Sequence, residues 1–321
     1  MDLIYMDTDR KDVNVLHEYE MDLSFGKDEN DFECKVDAAQ HCCQDGFILY
    51  FEHTEYGGLV SEIRTDTESG EVTYCGDTWH GILESKILEP DAGQDYLILS
   101  GEANEVLATL IQRMNLQELF VASADNSGIT IKNYQMNRYI AGYTGIQKML
   151  KASDAKLKLL FKEGMVIIEA VPLVDYTKDG EFDSDNVPLQ IKQNYKPVNH
   201  LVCLGKGELK ERTVIHLFAD KNGNVSRTQS LFGIQERQAT FDYPSVESEE
   251  ELITKGTERL EEYQNANEIK VNFISDEESY DIGDIVGGTD EVTGLKVATD
   301  ITKKIVTVRN GETKISYKVG E

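Results

Sequence analysis

The order in which hydrophobic periodicities follow one another most constrains the fold of this 321-residue chain. Residues 1–95 are rich in short alternating or aromatic runs, such as GFILYFEH from Gly46, that favour β-strands. From about residue 100 the apolar positions take the spacing of one helical face: Ala103, Val106, Leu107, Leu110, Ile111 and Met114. Towards the C-terminus alternation returns, and Asn310–Gly311 between ITKKIVTV and TKISYKVG is a strong hairpin signal.

This order predicts an α+β, mainly β fold, built from two barrel-like β modules that carry an α/β insert. We expect residues 1–95 to form the first module and residues 96–171 to form the insert. Residues 172–321 would then form the second module, with one helix at about 246–264.

Charge and composition exclude several classes of function. The net charge of -27 disfavours stable nucleic-acid binding, because such binding needs cations that displace counterions from phosphates. No stretch approaches the roughly 18 consecutive apolar residues of a membrane helix, and MDLIYMDTDRKD at the N-terminus lacks a signal-peptide pattern. We therefore expect no membrane anchor, and folding in a cytoplasm. The five cysteines include no C-x-x-C pair, which is typical of reduced thiols.

No motif for chemistry stands out. The acidic, glycine-rich segment YDIGDIVGGTDEVTG (280–294) fits neither the alternating ligand grid of a calcium loop nor a phosphate loop with its lysine. Gly287–Gly288 instead predict a bend at the end of a strand, with the nearby carboxylates facing solvent, a partner or a lumen. The histidines form no zinc pattern. We predict a protein that is not an enzyme, with no catalytic residues, no metal site and no cofactor.

Several segments, in order, resemble the tail-hub proteins of tailed phages and the central hubs of contractile tails. The resemblance covers nearly the full length, and its segments are TEYGGLVSEIRTDTESGEVTYCGDTWHGILESKILEP, DYLILSGEANEVLATLI, NYKPVNHLVCLGKGELKERTVIHLFAD, and the closing YDIGDIVGGTDEVTG, ITKKIVTV and GETKISYKVGE.

The resemblance implies a structural protein of a virion tail or phage-like particle, assembled in the cytoplasm of the bacterial host. Such hubs are homotrimers that join the sixfold tail tube to the threefold tail tip and form part of the DNA passage. The implied partners are the tail tube or distal tail protein, spike, fibre or tip proteins, and the tape-measure protein. An acidic lumen would repel DNA and keep the passage free.

The hub interpretation also suggests which segments form interfaces with other subunits and tail proteins. Strand edges in 1–60 and 280–319 are expected to close the ring and dock the tube, while the insert and the acidic loop 175–186 face outward or towards tip proteins. Trp79, the only tryptophan, is either a core residue or an interface anchor. The candidate interface residues are Trp79, Tyr56, Tyr280, Ile282 and Tyr317.

Two other classes of function stay open from the sequence. A tail-tip receptor-binding or carbohydrate-binding protein would use exposed aromatic side chains, and the chain has 15 tyrosines. A hydrolase built from scattered carboxylates is the second alternative.

Overall fold

The computed structural model describes residues 2–178, 189–192, 197–246, 248–264, 268–275, 280–289, 296–309 and 311–320. The chain divides into two compact units: unit 1 is Met1–Leu189 with Lys270–Glu321, and unit 2 is Gln190–Ile269. The predicted α+β, mainly β fold class is confirmed, although none of the described sheets closes into a barrel. The predicted three-part division of the chain stays a prediction, and most of the acidic loop at 175–186 lies outside the described residues.

The strands follow one another along the whole chain. In order they are β1 (Leu3–Met6), β2 (Asp12–Leu16), β3 (Tyr19–Gly26), β4 (Asp31–Asp37), β5 (Ile48–Tyr50), β6 (Gly57–Asp66), β7 (Glu71–Thr78), β8 (Ile87–Leu88), β9 (Leu97–Glu102), β10 (Phe120–Ala122), β11 (Thr130–Met136), β12 (Ile140–Ala141), β13 (Ala155–Lys162), β14 (Met165–Pro172), β15 (Leu189–Lys192), β16 (His200–Leu204), β17 (Val214–Ala219), β18 (Val225–Ser226), β19 (Gln238–Asp242), β20 (Glu268–Ser275), β21 (Ile285–Thr289), β22 (Lys296–Arg309) and β23 (Glu312–Val319). The α-helices are α1 (Trp79–Glu84), α2 (Ala103–Arg113), α3 (Gly142–Lys151) and α4 (Glu249–Gln264).

A large antiparallel sheet brings the two ends of the chain together in unit 1. Its strands run in the order β20, β23, β22, β3, β4, β7, β6, β5, β1 and β2, and β21 pairs with β22 to one side. The pairing of β22 with β3 places Val308 opposite Met21. Both side chains are buried, because alternation along each strand turns its apolar positions to the same face. Parts of 1–60 and 280–319 therefore share one sheet.

The helical face predicted from residue 103 onward is confirmed. Helix α2 buries Val106, Leu107 and Leu110, while the side chain of Glu102 caps its start by accepting from the amide of Glu105 at 3.0 Å. The helix packs beside the three-stranded sheet β10–β14–β13, in one hydrophobic core that also contains Trp79. Residues of the predicted insert and of the first β region thus share a core within unit 1.

Unit 2 is a four-stranded sheet, in the order β18, β17, β16, β19, covered on one face by α4. The predicted helix is confirmed: Ser248 Oγ accepts from the amide of Glu251 at 3.1 Å, one residue before the helix begins at Glu249. Gly256 lets the helix approach the sheet, since a Cβ there would lie 2.5 Å from Cys203 Sγ. In the described part of the chain no helix is long and apolar enough to cross a membrane.

Candidate functional site

A buried pair of opposite charges lies where distant segments of unit 1 meet. Lys304 comes from β22, and Glu55 comes from the turn between β5 and β6. The Nζ atom of Lys304 donates to Glu55 Oε1 at 2.6 Å, and the two side chains are 6% and 13% exposed. Removal of either partner from such a buried ion pair would leave the other charge without hydration or a counter-charge, which destabilises the fold. The pair therefore ties β22 to the turn between β5 and β6.

A second buried carboxylate, that of Asp284 in the turn before β21, belongs to the same cluster of charged side chains. Asp284 is fully buried, and its Oδ2 accepts from Lys156 Nζ of β13 at 2.8 Å and from the amide of Asp281 at 3.0 Å. Its Oδ1 accepts from the amide of Val174 at 3.0 Å. The expectation that the carboxylates of this segment face outward is wrong for Asp284, which turns inward to satisfy two backbone amides and a lysine.

The bend in this segment is also placed differently from the prediction. Gly287 and Gly288 lie in the regular ladder of β21, opposite Ala298 and Val297 of β22. The turn is made earlier, at Gly283, whose φ of +97° lies in the region that favours glycine. The segment therefore contains a bend and a strand, but the predicted order is wrong: the bend, at the first of the glycines, precedes strand β21.

Burial and charge together set the protonation of the cluster. Burial, and next the carboxylate of Glu55, raise the pKa of Asp281 to about 6. Burial alone would lower the pKa of Lys304, but Glu55, Tyr56 and Asp281 together raise that pKa above its ordinary value. Burial lowers the pKa of His80, which lies 3.7 Å from Glu55, to about 3, so this imidazole is neutral at physiological pH. Among these groups, Asp281 is the one whose raised pKa lies closest to neutral pH.

Four of the predicted interface residues surround this cluster. The ring centre of Tyr56 is 5.3 Å from Lys304 Nζ, a cation–π distance. Tyr317 is buried, and its hydroxyl donates to the carbonyl of Tyr280 at 3.1 Å. Ile282 is half-buried in the same turn. The structure thus brings Tyr56, Tyr280, Ile282 and Tyr317 together inside unit 1, and their role in a contact between chains stays a prediction.

Trp79, the fifth candidate, begins α1 in the core of unit 1. Its indole is fully buried and stacks on Phe161, with ring centres 5.1 Å apart and planes 8° from parallel. A Cβ on Gly57 would come within 2.6 Å of the indole, so the packing around the ring is tight. This placement agrees with the core alternative for Trp79, while an anchoring role in an interface is untested.

One polar constellation in unit 2 could not be recognised from residue spacing along the chain. His200 Nδ1 is 2.6 Å from Glu236 Oε1, and His200 Nε2 is 2.8 Å from His216 Nδ1. A carboxylate can only accept, so His200 Nδ1 donates to Glu236. The two histidines lie on neighbouring strands, β16 and β17, and only the alternation of those strands hints that they share a face. Within the described residues, no cluster of three such side chains could hold a metal ion.

No protein-family model and no curated protein matches the sequence. Among solved structures, a tail protein from Neisseria meningitidis MC58 has a TM-score of 0.51 and 11% identity, over 100% of this chain and 96% of that protein. The 43 kDa tail protein of prophage MuSo2 from Shewanella oneidensis has a TM-score of 0.54 and 11% identity, with the same coverage of 100% and 96%. The chain therefore has the fold of these phage-type tail proteins, and the resemblance to tail-hub proteins is confirmed at the level of fold.

Proposed function

We propose that this chain is a structural tail protein that acts as a hub: a homotrimer joining the tail tube to the tip, spike or fibre proteins. The observation that carries the proposal is the agreement in fold with two tail proteins along the full length of the chain. Agreement over 96% of both neighbours favours a part of the same architecture over a chance similarity of one module. The proposed location is the virion tail, reached by assembly in the host cytoplasm.

The charge of the chain supports a role around a DNA passage. A net charge of -27 per chain gives three copies a strongly negative potential, which repels phosphates and lowers the residence time of DNA on the wall. A catalytic role has no comparable support, because the buried charges of unit 1 are paired with one another. The proposed partners are the tail tube or distal tail protein, the tip proteins and the tape-measure protein.

Native mass spectrometry combined with negative-stain imaging of the purified chain tests the proposal. We expect a species of three times the chain mass, and class averages that show a ring with an open centre. A chain that stays monomeric at high concentration and is absent from purified tails would overturn the proposal. Binding to a glycan array by a monomer would instead support the receptor-binding alternative.

A further inference from the structure

The loop between β18 and β19 of unit 2 ends in an exposed apolar tip, which we define as Leu231–Ile234. Phe232 is 62% exposed and Ile234 is 86% exposed. Single exposed apolar residues are common on protein surfaces. Two large ones at the end of one loop are less common, because each leaves a substantial apolar area in water.

The loop is held rigidly at its base. The side-chain amide of Asn199 donates to the carbonyl of Gln235 at 2.7 Å, and its oxygen accepts from the amide of Arg237 at 3.0 Å. Glu236 Oε1 accepts from His200 Nδ1 at 2.6 Å. A loop fixed before binding loses little conformational entropy when a partner covers it. The histidine–carboxylate pair described above therefore has a positioning role, in that it holds the tip.

The tip itself is built on a short 3-10 turn. The amide of Gln235 donates to the carbonyl of Phe232 at 3.2 Å, and the amide of Glu236 donates to the carbonyl of Gly233 at 3.1 Å. Gly233 has a φ of +60°, which a side chain would strain. The turn separates the side chains of Phe232 and Ile234 from the sheet, and thus presents both of them outward.

Charge indicates which partner suits this surface. The segment VSRTQSLFGIQ, residues 225–235, contains no acidic residue and one arginine, in a chain with 59 Asp and Glu. Copies of a chain with a net charge of -27 repel one another over most of their surface. A contact between copies is most favourable where acidic residues are absent and apolar side chains can be buried. The tip meets both conditions.

We propose that the apolar tip docks on a second copy of this chain and anchors the contact between subunits. This inference rests on the proposed homotrimer, and it names the part of unit 2 that holds the subunits together. Phe232 and Ile234 supply the buried apolar area, in the way that a few central residues dominate most protein interfaces.

Substitution of the tip tests the proposal with a matched control. Ile234→Asp and Phe232→Asp/Ile234→Asp add charge at exposed positions, so the fold is retained, which circular dichroism and the melting temperature verify. We expect the double variant to raise the dissociation constant of the trimer at least 100-fold by sedimentation velocity. Leu209→Asp is the control: Leu209 is 94% exposed in the same unit but is flanked in sequence by the charged residues Glu208 and Lys210, with no second large apolar residue beside it. It should leave assembly unchanged.

Photo-crosslinking identifies directly which protein contacts the apolar tip. With p-benzoylphenylalanine in place of Phe232, we expect crosslinks between two copies of the chain, in the purified protein or in assembled tails. A wild-type trimer that persists in the double variant would overturn the tip contact and leave the hub proposal intact. If Phe232 in assembled tails crosslinks only to a different protein, the tip contact is also overturned and the hub proposal stays intact. A chain monomeric in solution and absent from tails would overturn both proposals.

Discussion

The buried ion pair between Lys304 and Glu55 makes the sharpest prediction for stability. At 2.6 Å and an effective dielectric constant near 20, the two charges attract by about 6 kcal/mol, much of which offsets the loss of their hydration. Lys304→Met keeps the apolar stem but leaves Glu55 buried without its counter-charge. We expect the free energy of unfolding of unit 1 to fall by about 3–5 kcal/mol. This corresponds to a fall in melting temperature of about 6–20 °C for a unit of this size.

Calorimetry or chemical denaturation of three variants measures this effect. Lys303→Met is the matched control, because the neighbouring Lys303 pairs with Glu29, which is 56% exposed and stays hydrated when its partner is lost. We expect the control to cost about 1 kcal/mol or less. The double variant Lys304→Met/Glu55→Met should recover most of the loss, since no unpaired charge remains. Equal effects of Lys303→Met and Lys304→Met would refute the role assigned to the buried pair.

Three further predictions concern pH, packing and DNA. Burial raises the pKa of Asp281 from 3.8 to about 6, so its contribution to stability is full below about pH 4 and is lost as pH rises through 6. The stability of the wild type relative to Asp281→Asn should therefore fall by about 2–3 kcal/mol from pH 4 to pH 7 in urea titrations; a constant difference would contradict the assignment. Gly256→Ala should destabilise unit 2, although alanine usually stabilises a helix, because its Cβ would lie 2.5 Å from Cys203 Sγ. Cys203→Ala in the same chain should restore part of the stability, although Leu217 Cδ1 would still lie 2.8 Å from the new Cβ; thermal melts that show no restoration would count against the packing argument. In gel-shift assays at about 150 mM salt the wild type should not retain duplex DNA, and retention would contradict the repulsive passage.

Local patterns predicted the elements of this fold well. The apolar spacing from Ala103 to Ile111 corresponds to α2. The signal at Asn310–Gly311 falls between β22 and β23, where Arg309 pairs with Glu312, although Asn310 itself lies outside the described residues. Both features depend only on residues close in sequence. Periodicity and turn chemistry are therefore sufficient to find them.

Long-range pairings could not be predicted in the same way. The lysines of ITKKIVTV have the appearance of solvent-facing residues, yet Lys303 and Lys304 are both buried. Their partners, Glu29 and Glu55, come from the other end of the chain. The pairing of β22 with β3 places Lys303 opposite Gly26, close to Glu29, and no local pattern encodes that register.

Cryo-electron microscopy of purified tails tests the central claim most directly. The account predicts that the fold described for each unit fits density at the end of the tail tube in three copies, around an open channel. It also predicts that the apolar tip of each copy contacts its neighbour. Tails that contain the chain elsewhere, in another copy number, or not at all would contradict the account.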